Sequence, residues 1–300
     1  MEFSLMRDVR IRTESAIASG DLLPIQAEQV ILQEQGLAFI VRWVAALAAK
    51  DAASKPAAQS GASTILPGGP RDPDFNPFLH PDPALLVGAV GDHHVAILNK
   101  FPVCLHHLVL ARRQFAEQSS PLEEIDFQAL AAVLSAEGGL GFYNGGAAAG
   151  ASQRHKHIQW IPASDQNASL QALGAGLPAG LPEGAVARHP ALPLAHCFAP
   201  VNAGVGADVA VSARSMLAAF TQACGVLGLR PDADGLLPPC NMLVGDGWML
   251  VLPRSQEHFQ GVSLNALSFG GTIYVRDPAQ IDAIRAAGPL QALASVGVAV

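Results

Sequence analysis

Charge is scarce in this sequence. Only 14% of its 300 residues are charged, against roughly a quarter in an average globular protein, and the formal net charge is −7. Lysine is especially rare, with four copies at positions 50, 55, 100 and 156. A protein that binds many phosphates of a duplex, or an anionic membrane, needs a basic surface, so the composition argues against nucleic acid and membranes as main partners. A small polyanion held in one pocket needs only a few local donors and is still compatible with it.

The sequence also lacks paired cysteines, a secretion signal and long apolar runs. Its isolated cysteines form no C-x-x-C pair and are expected to be small buried hydrophobes (Cys104, Cys197, Cys224 and Cys240). The N-terminal stretch MEFSLMRDVRIRTES has no apolar segment typical of a signal peptide, which favours a cytoplasmic location. We find no stretch that reaches the ~18 uncharged apolar residues needed for a membrane helix.

The N-terminal third predicts a mixture of helices and strands. We expect helices at residues 6–20 and 24–36, each ending at a glycine, and a β-branched, aromatic strand at 37–44. Residues 51–75 are rich in Ala, Ser, Gly and Pro and have little to bury, which predicts a mobile loop. Three apolar runs then suit antiparallel strands joined by short turns (84–90, 93–99 and 103–111).

A long helix is predicted at residues 119–139. Ser120 is the expected N-cap, Pro121 stands at the first helical position, Glu123 would complete a capping box, and Gly138 would end the helix. The segments that follow it share no helical pattern and are expected to be a strand, a glycine-rich loop and a second strand (140–144, 144–152 and 154–162).

The C-terminal part predicts further helices and strands after an irregular Gly/Pro-rich connection at 173–199. Its expected elements are a helix, a hairpin, an extended segment and a closing helix with Asp277 as cap and Pro278 at its first position (208–228, 241–253, 263–275 and 277–288). Because helices and strands mix without a regular βαβ alternation, the predicted fold is α+β on a largely antiparallel sheet. We expect one domain over residues 1–300, in which 181–300 complete the fold that 1–180 begin.

The loop at 144–152, NGGAAAGAS, is made of small residues that leave backbone N–H groups uncovered. A loop of this kind lets a phosphate approach the main chain, although flexible turns between strands have the same composition. Directly behind it, His155, His157 and Gln159 occupy alternate positions, so they lie on one face of the predicted strand. One face of that strand is therefore polar and suited to chemistry.

Three interpretations of this face compete. Two histidines at i and i+2 lie about 6.6 Å apart along a strand and can share a zinc ion, but no Asp, Glu or Cys stands at a familiar ligand offset. A solvated surface would leave Ser152 and Gln159 without a role. In the third interpretation a neutral imidazole attacks phosphorus, and the loop amides, Ser152 and Gln159 stabilise charge on the non-bridging oxygens.

The ordered set N-x-G-x-x-x-G-x-S-x-x-H-x-H-x-Q resembles the active-site motif of the histidine-triad (HIT) superfamily (Asn144, Gly146, Gly150, Ser152, His155, His157 and Gln159). More narrowly it resembles the branch that ends in glutamine, which holds the diadenosine tetraphosphate phosphorylases, also called ATP adenylyltransferases, and the galactose-phosphate uridylyltransferases. The segments NPFLHPDP, HHVAILNKFPVCLHHLVLARRQFAEQ and WMLVLPRSQEHFQGVSLNALSFGGTIYV extend the likeness to the phosphorylases over most of the chain. The cysteine pair typical of the uridylyltransferases is absent.

The resemblance implies a HIT-like fold and a nucleotidyltransferase that splits a dinucleoside polyphosphate with orthophosphate, giving ATP and ADP. His157 would be the nucleophile and His155 would orient it, while Gln159 in place of a third histidine is associated with transfer rather than hydrolysis. Residues of the loop would bind phosphate (Asn144, Gly150, Ala151, Ser152 and Gln153). A divalent ion, expected to be Mg²⁺, would accompany the nucleotide without a metal site in the protein.

Several charged or polar residues outside the motif are also candidates. Lys50 resembles a lysine that the family aims at the polyphosphate, and Lys55 is its rival. Lys100 and Arg254 lie in apolar surroundings where a charge needs a partner such as phosphate. In the wider superfamily an acidic residue holds the ribose, and Asn99 stands at the matching place, so Asn99 and Lys100 are the expected nucleoside contacts. The alternatives are nucleotidyl transfer to another acceptor, a non-catalytic nucleotide-binding protein and a zinc hydrolase.

Overall fold

The computed structural model describes residues 5–22, 27–44, 76–245 and 247–300. The loop expected at 51–75, together with Lys50 and Lys55, lies outside the described residues. Within them, the strands of an eight-stranded sheet pair antiparallel throughout. A smaller, three-stranded sheet lies beside it and contains one parallel pair. The α+β prediction with a largely antiparallel sheet is confirmed.

The chain begins with helix α1 (Leu5–Ser19), as predicted, but the second predicted helix is wrong. Residues Ala27–Glu34 form strand β1, paired with β2 (Leu37–Val44) through the two-residue turn Gln35-Gly36. Both turn residues have positive φ, 48° and 79°, as a tight hairpin requires. The glycine that we interpreted as a helix stop is a hairpin residue, and the side chains of β1 alternate in exposure with a period of two.

The strands of the large sheet lie close to their predicted positions. Their bounds are β3 (Leu86–Val90), β4 (His94–Leu98), β5 (Leu108–Arg112), β6 (Leu140–Gly145), β7 (His157–Ile161), β8 (Cys197–Pro200), β9 (Cys240–Gly245) and β10 (Trp248–Pro253). Their order in the sheet is β3-β4-β5-β7-β6-β9-β10-β8, and because β6 and β9 are neighbours, this sheet joins the two halves of the chain. A short two-stranded ribbon, β11 (His258–Phe259) with β12 (Val262–Ser263), follows. The last strand, β13 (Thr272–Val275), pairs parallel with β2 in the small sheet.

Helix α2 (Glu124–Glu137) forms where a helix was predicted, but Ser120 is not its cap. Glu123 is the N-cap, and its backbone N–H donates to the Asp126 carboxylate at 2.8 Å, while the Ser120 hydroxyl bonds a nearby carbonyl. Gly138, with φ of 63°, ends the helix as expected. The acidic pair therefore replaces the predicted serine because the chain enters the helix three residues later.

The other helices are α3 (Gln171–Gly174), α4 (Val209–Leu227), α5 (Ala266–Phe269), α6 (Ala279–Ala287) and α7 (Pro289–Val296). Helix α4 and its Asp208 cap confirm the prediction at 208–228. The segment 263–275 is not extended throughout, because α5 interrupts it before β13. Helix α6 begins one residue after Pro278 with the Asp277 carboxylate bonded to its first N–H, and α7 was not predicted.

Two hydrophobic clusters cover the two faces of the large sheet. On one face, α2 and α4 pack over side chains such as Ile158, Trp160 and Met242. On the other, the small sheet and the C-terminal helices pack over Phe142, Leu243 and their neighbours. In the described residues α4 alone is long and apolar enough to cross a membrane, and its buried face packs on α2 and the sheet. The four free cysteines are buried, as predicted.

Candidate active site

The first residues of strand β7 carry the predicted face. His157 and Gln159 point to the side of Phe142, whereas Ile158 and Trp160 enter the core beneath α2. His155 precedes the strand and is held in an isolated bridge opposite Glu117. The alternation expected at 155–159 is therefore present, although regular pairing starts only at His157.

Both ring nitrogens of His155 are engaged. Its Nδ1 lies 2.9 Å from the Asn76 side-chain nitrogen, and its Nε2 lies 2.7 Å from the Arg112 carbonyl oxygen. The Asn76 oxygen accepts the N–H groups of Phe78 and Leu79, so its NH₂ group must face the histidine. Asn76 thus donates to Nδ1, and His155 donates from Nε2. Burial lowers the pKa of His155, which keeps this ring neutral.

His157 is fixed by a backbone carbonyl. Its Nδ1 lies 2.8 Å from the His155 carbonyl oxygen, which can only accept a hydrogen bond. The proton of the neutral ring is therefore on Nδ1, and the lone pair is on Nε2. The Phe78 ring packs against the imidazole with a centroid separation of 4.8 Å, and only 5% of His157 is exposed. This arrangement presents one nitrogen for attack on an electrophile.

Gln118 holds the backbone of His157 and was missed in the sequence analysis. Its side-chain oxygen accepts the His157 N–H at 2.8 Å, and its NH₂ group donates to the carbonyls of His157 and Asn144 at 3.0 and 2.9 Å. The residue is 2% exposed, so all three bonds are shielded from water. One buried side chain thus joins the start of β7 to the end of β6. Sequence reasoning had no signal for it beyond its place in the family-like segment RRQFAEQ.

The glycine-rich loop folds into a single tight turn, a 3-10 helix at Ala147–Ala149. Gly146 and Gly150 have φ of 100° and 90°, which other residues rarely adopt. The N–H groups of Gly150 and Ala151 donate within the turn, to the Ala147 and Gly146 carbonyls at 2.9 and 3.1 Å. These two backbone N–H groups therefore close the loop, and the phosphate contact expected of Gly150 and Ala151 stays a prediction.

The next two residues are placed differently. Ser152 is exposed and Gln153 is half-buried, at the edge of the loop that leads to the histidines. In the described part of the chain neither residue's N–H or side chain has a hydrogen-bond partner. Gly150 approaches Asn265 so closely that an added Cβ would lie 3.0 Å from the Asn265 Cβ. The loop thus leans on the C-terminal half and turns Ser152 and Gln153 outward.

Asn144 links this loop to the C-terminal half of the chain. Its side-chain oxygen accepts from the Asn241 NH₂ group at 2.9 Å and from the Ala266 N–H at 3.0 Å. Asn241 also donates to the Ala149 carbonyl at 2.9 Å. Asn144 and Asn241 are 3% and 0% exposed, so the network is internal. Asn241 is a second supporting residue that the sequence analysis did not single out.

Arg254 lies behind this network. Its guanidinium donates to the Asn241 side-chain oxygen at 2.5 Å and to the carbonyls of Val296, Gln256 and Leu264 at 2.8 to 3.0 Å. These bonds use four of the five guanidinium N–H groups, so one donor is left for the expected phosphate contact, which stays a prediction. Arg254 is 4% exposed, and burial lowers its pKa to about 10. It reaches the loop through Asn241.

Gln159 lies at the other end of the site. Its side-chain oxygen is 3.0 Å from the His107 Nε2 and 3.4 Å from the Asn99 side-chain nitrogen. Asn99 and Lys100, the two expected nucleoside contacts, are half-buried next to it. His107 is buried, and His106 is half-buried beside α1. The predicted catalytic and nucleoside residues are therefore brought together along one edge.

A buried charge cluster lies behind the histidines. Arg112 pairs with Asp126 at 2.6 Å and with Glu123 at 2.5 Å, and Asp126 also contacts His94 at 3.1 Å. Lys156, between the two histidines in sequence, points to this side and donates to the Ser120 and Pro121 carbonyls. Since the Arg112 carbonyl binds His155, the cluster fixes the backbone on which the site is built.

The same contacts bear on a metal site. Both nitrogens of His155 are used within the protein, which removes one of the two expected zinc ligands. In residues 5–22, 27–44, 76–245 and 247–300 no group of three or more His, Cys, Asp or Glu is placed to hold a metal ion. The geometry therefore favours an imidazole nucleophile over a zinc centre at this strand.

A buried, oriented imidazole on a strand behind a small-residue loop, with glutamine two positions later, is typical of nucleotidyltransferases of the HIT-like class. Comparison with known families agrees with this class. Residues 2–173 match the Ap4A phosphorylase N-terminal domain, where Ap4A is diadenosine tetraphosphate, and residues 190–299 match the ATP adenylyltransferase C-terminal domain. The first match covers more than half of the chain, which therefore belongs to the Ap4A phosphorylase family. The resemblance drawn from the motif is confirmed.

Individual relatives point the same way. The chain is 28% identical over 234 residues to the diadenosine 5',5'''-P1,P4-tetraphosphate phosphorylase 2 of Saccharomyces cerevisiae, covering 69% of this chain and 70% of that protein. The crystal structure of yeast Ap4A phosphorylase Apa2 in complex with AMP is similar over 100% of this chain and 98% of that one, with a TM-score of 0.78 and 22% identity. The same yeast protein in complex with Ap4A gives a TM-score of 0.77 at 22% identity, covering 100% and 99% of the two chains. The HIT-like fold prediction is thereby confirmed.

Proposed function

We propose that this protein splits diadenosine tetraphosphate with orthophosphate to give ATP and ADP, and catalyses the reverse reaction, through an adenylyl group on His157. The observation that carries the proposal is the bond from His157 Nδ1 to the His155 carbonyl oxygen, because it leaves the lone pair on Nε2. The family to which the chain belongs and the Ap4A-bound yeast relative support this substrate class.

In the first step Nε2 of His157 attacks the α-phosphorus of one adenylyl unit. The N–P bond forms, the P–O bond to the rest of the dinucleotide breaks, and ATP leaves with the bond's electron pair. The Nδ1 proton stays hydrogen-bonded to the His155 carbonyl, so the positive charge that develops on the ring meets an acceptor. The covalent intermediate splits one difficult displacement into two easier ones.

In the second step an oxygen of orthophosphate attacks the same phosphorus. The new P–O bond forms, the N–P bond breaks, and ADP is released as the ring returns to neutral. The N–P bond is readily broken, so the adenylyl group can also pass back to ATP, which gives the reverse reaction. These two successive steps predict ping-pong kinetics.

Around the phosphorus, we assign donors to Ser152, Gln153 and the Gln159 amide, which lie on either side of His157 along the chain. Charge grows on the non-bridging oxygens as phosphorus becomes five-coordinate, and fixed donors stabilise it. Asn144 and Arg254 act behind the loop: the buried cation of Arg254 favours an anion nearby although its bonds are to protein oxygens. Asn99 and Lys100 lie on the nucleoside side.

The divalent ion, expected to be Mg²⁺, would bind the polyphosphate itself. Phosphate oxygens with water supply the octahedral shell that Mg²⁺ prefers. In this position the ion would neutralise charge on the leaving group. Titration of the nucleotide-free protein with Mg²⁺ should give no stoichiometric binding, whereas the KM for the dinucleotide should depend on Mg²⁺.

Trapping of the intermediate tests the proposal. Protein incubated with α-labelled diadenosine tetraphosphate without orthophosphate should carry an acid-labile, base-stable adduct, and His157→Ala should carry none. His258→Ala is the matched control, because His258 is a 47% exposed histidine on the β11 ribbon. Label that binds reversibly in every protein, with no covalent adduct, would establish a nucleotide-binding protein instead.

A product assay separates the remaining alternatives. ATP and ADP should form only when orthophosphate is present, and with phosphate in excess each labelled phosphate should enter the β-position of ADP. Formation of AMP without orthophosphate would identify a hydrolase. Transfer of the adenylyl or uridylyl group to a sugar phosphate, with orthophosphate inactive, would instead identify a uridylyltransferase-like enzyme.

A further inference from the structure

The orientation of the Gln159 amide is set by two neighbours, Asn99 and His107. The Gln159 side-chain oxygen lies 3.0 Å from the His107 Nε2 and 3.4 Å from the Asn99 side-chain nitrogen. Because an amide has acceptor and donor ends that look alike in shape, its direction must be deduced from the groups around it. Here each neighbour is itself fixed by a further contact.

Asn99 is oriented by the backbone. Its side-chain oxygen accepts the Phe101 N–H at 3.0 Å, so its NH₂ group has to face the opposite way, towards Gln159. That NH₂ group is a donor only, and the Gln159 atom opposite it must therefore be the oxygen. The main chain at Phe101 thus dictates the direction of two side-chain amides in succession.

His107 is oriented in the same manner. Its Nδ1 lies 3.4 Å from the Val103 backbone N–H and its Nε2 lies 3.4 Å from the Asn99 NH₂ group, so these two donors favour opposite tautomers. The shorter contact, 3.0 Å from Nε2 to the Gln159 oxygen that Asn99 orients, places the proton on Nε2 and the lone pair on Nδ1. The ring packs on Phe142 with a centroid separation of 5.7 Å and is 4% exposed, which limits rotation. A reversed Gln159 would place its NH₂ group against an N–H of His107 and the NH₂ group of Asn99, with no acceptor between three donors.

We propose that Asn99 and His107 are positioning residues that turn the NH₂ group of Gln159 towards the α-phosphate. The inference rests on the proposed function and differs from the ribose contact that the superfamily pattern suggests for Asn99. Its substance is that Gln159 works as a donor with a fixed direction. A donor in this place stabilises negative charge on a non-bridging oxygen and has no proton of suitable acidity to give to a leaving group.

The test compares Asn99→Asp and His107→Phe, each in the wild-type and the Gln159→Ala background. A carboxylate at position 99 offers only acceptors, so it would attract the Gln159 NH₂ group and reverse the amide, whereas phenylalanine keeps the ring packing and removes the donor. Either change should lower kcat about 100-fold with a small change in KM, as loss of one such donor does elsewhere. In the Gln159→Ala background neither should lower kcat by more than a few fold, because residues acting through one group are not additive.

His107→Gln is the conservative variant, since its amide can still donate to the Gln159 oxygen, and it should recover most of the activity lost in His107→Phe. A direct ribose contact by Asn99 predicts another pattern: a raised KM, and an effect that multiplies with that of Gln159→Ala. Full additivity of both residues with Gln159→Ala would overturn the proposal.

Equilibrium binding tests the same idea without catalysis. If the amide faces the phosphate, Asn99→Asp should weaken AMP binding several fold and leave the affinity for adenosine unchanged. A ribose contact would weaken both ligands equally, which would contradict the proposal. Because AMP and adenosine bind without reacting, this result stands even for a protein that forms no adduct on His157, and the two proposals can fail separately.

Discussion

The Nδ1 atom of His157 lies 2.8 Å from the carbonyl oxygen of His155. The first histidine therefore serves the second with its main chain, not with its ring. Its ring has a separate task, which is to pin that carbonyl in place through Asn76 on one side and the Arg112 carbonyl on the other. Because both ring nitrogens of His155 are bonded within the protein, we expect His157 to be the histidine that attacks.

The pair His155→Phe and His157→Phe tests this division. The first variant keeps the carbonyl and a ring of similar size, so it should lower kcat by roughly 10 to 100-fold through misplacement and still form the adenylyl adduct. The second should form none. Single-turnover measurements with labelled dinucleotide distinguish them. Equal loss of adduct in both variants would contradict a backbone role for His155.

We expect substitution of Gln118 to lower the stability of the protein, although Gln118 itself is not a predicted contact of the substrate. In Gln118→Leu the N–H and the carbonyl of His157 lose this partner in the interior, whereas the Asn144 carbonyl keeps its bond from the Gly146 N–H at 3.2 Å. Each unsatisfied buried group costs about 1 to 3 kcal/mol, so we expect a loss of several kcal/mol in the free energy of unfolding, measured with urea. Gln128→Leu is the control, because Gln128 is exposed on α2 and bonds only Glu124. Similar losses of unfolding free energy in the two variants would contradict the role assigned to the Gln118 hydrogen bonds.

The pattern of small and polar residues was sufficient to predict the central part of this site. The motif from Asn144 to Gln159 is recognised by the spacing of its residues within one short segment. The strand period of two then places His157 and Gln159 on one face. The helix expected at 24–36 failed for a physical reason. Its apolar residues fit both periods over so short a run, and only the pairing with β2 decides in favour of a strand.

The sequence could not predict contacts between residues that are far apart along the chain. Gln118 meets His157 over 39 positions, and Asn241 meets Asn144 over 97, so no local pattern marks either residue. Arg254 shows the same limit for a residue that the sequence did single out. Its apolar surroundings correctly indicated a buried charge with strong partners, but neutral oxygens of the C-terminal half fill that role where a phosphate was expected.

Arg254 gives a third prediction. Arg254→Met removes four hydrogen bonds, and the Asn241–Asn144 contact loses its support. Each buried oxygen left without a donor costs about 1 to 3 kcal/mol, so we expect a loss of a few kcal/mol in the free energy of unfolding. We also expect a raised KM for the dinucleotide and for orthophosphate, because the loop shifts and a nearby cation is lost. Arg254→Lys keeps the charge but loses the planar guanidinium with its several N–H donors. It should reverse part of the rise in KM and restore little of the lost stability. Unchanged KM values in both variants would show that the loop is independent of Arg254.

Asp126 should govern stability in acid. Burial alone would raise its pKa, but hydrogen bonds from His94 and Arg112 outweigh that effect and hold the pKa at about 2, below the ordinary value of 3.8. A lowered pKa gives stability that is complete above about pH 4 and is lost as pH falls towards 2, in total roughly 2 kcal/mol. Asp126→Asn should flatten the unfolding free energy in this range. Glu123→Gln is the control, since the Glu123 side chain is 61% exposed and should change the curve little.

Lys156 should act at the alkaline end with the opposite sign. Burial lowers its pKa from 10.5 to about 8, while its ammonium donates only to two backbone carbonyls. Between pH 8 and 10.5 the unfolded chain binds a proton that the folded protein has already lost, so stability rises with pH across this window, by about 3 kcal/mol in total. The buried thiols, whose pKa burial raises, oppose this rise equally with and without the lysine. The difference in unfolding free energy between wild type and Lys156→Met therefore isolates the contribution of Lys156. Measured with urea at several pH values, the two free energies should diverge from pH 8 upward. Parallel curves would show that Lys156 remains charged in the folded protein.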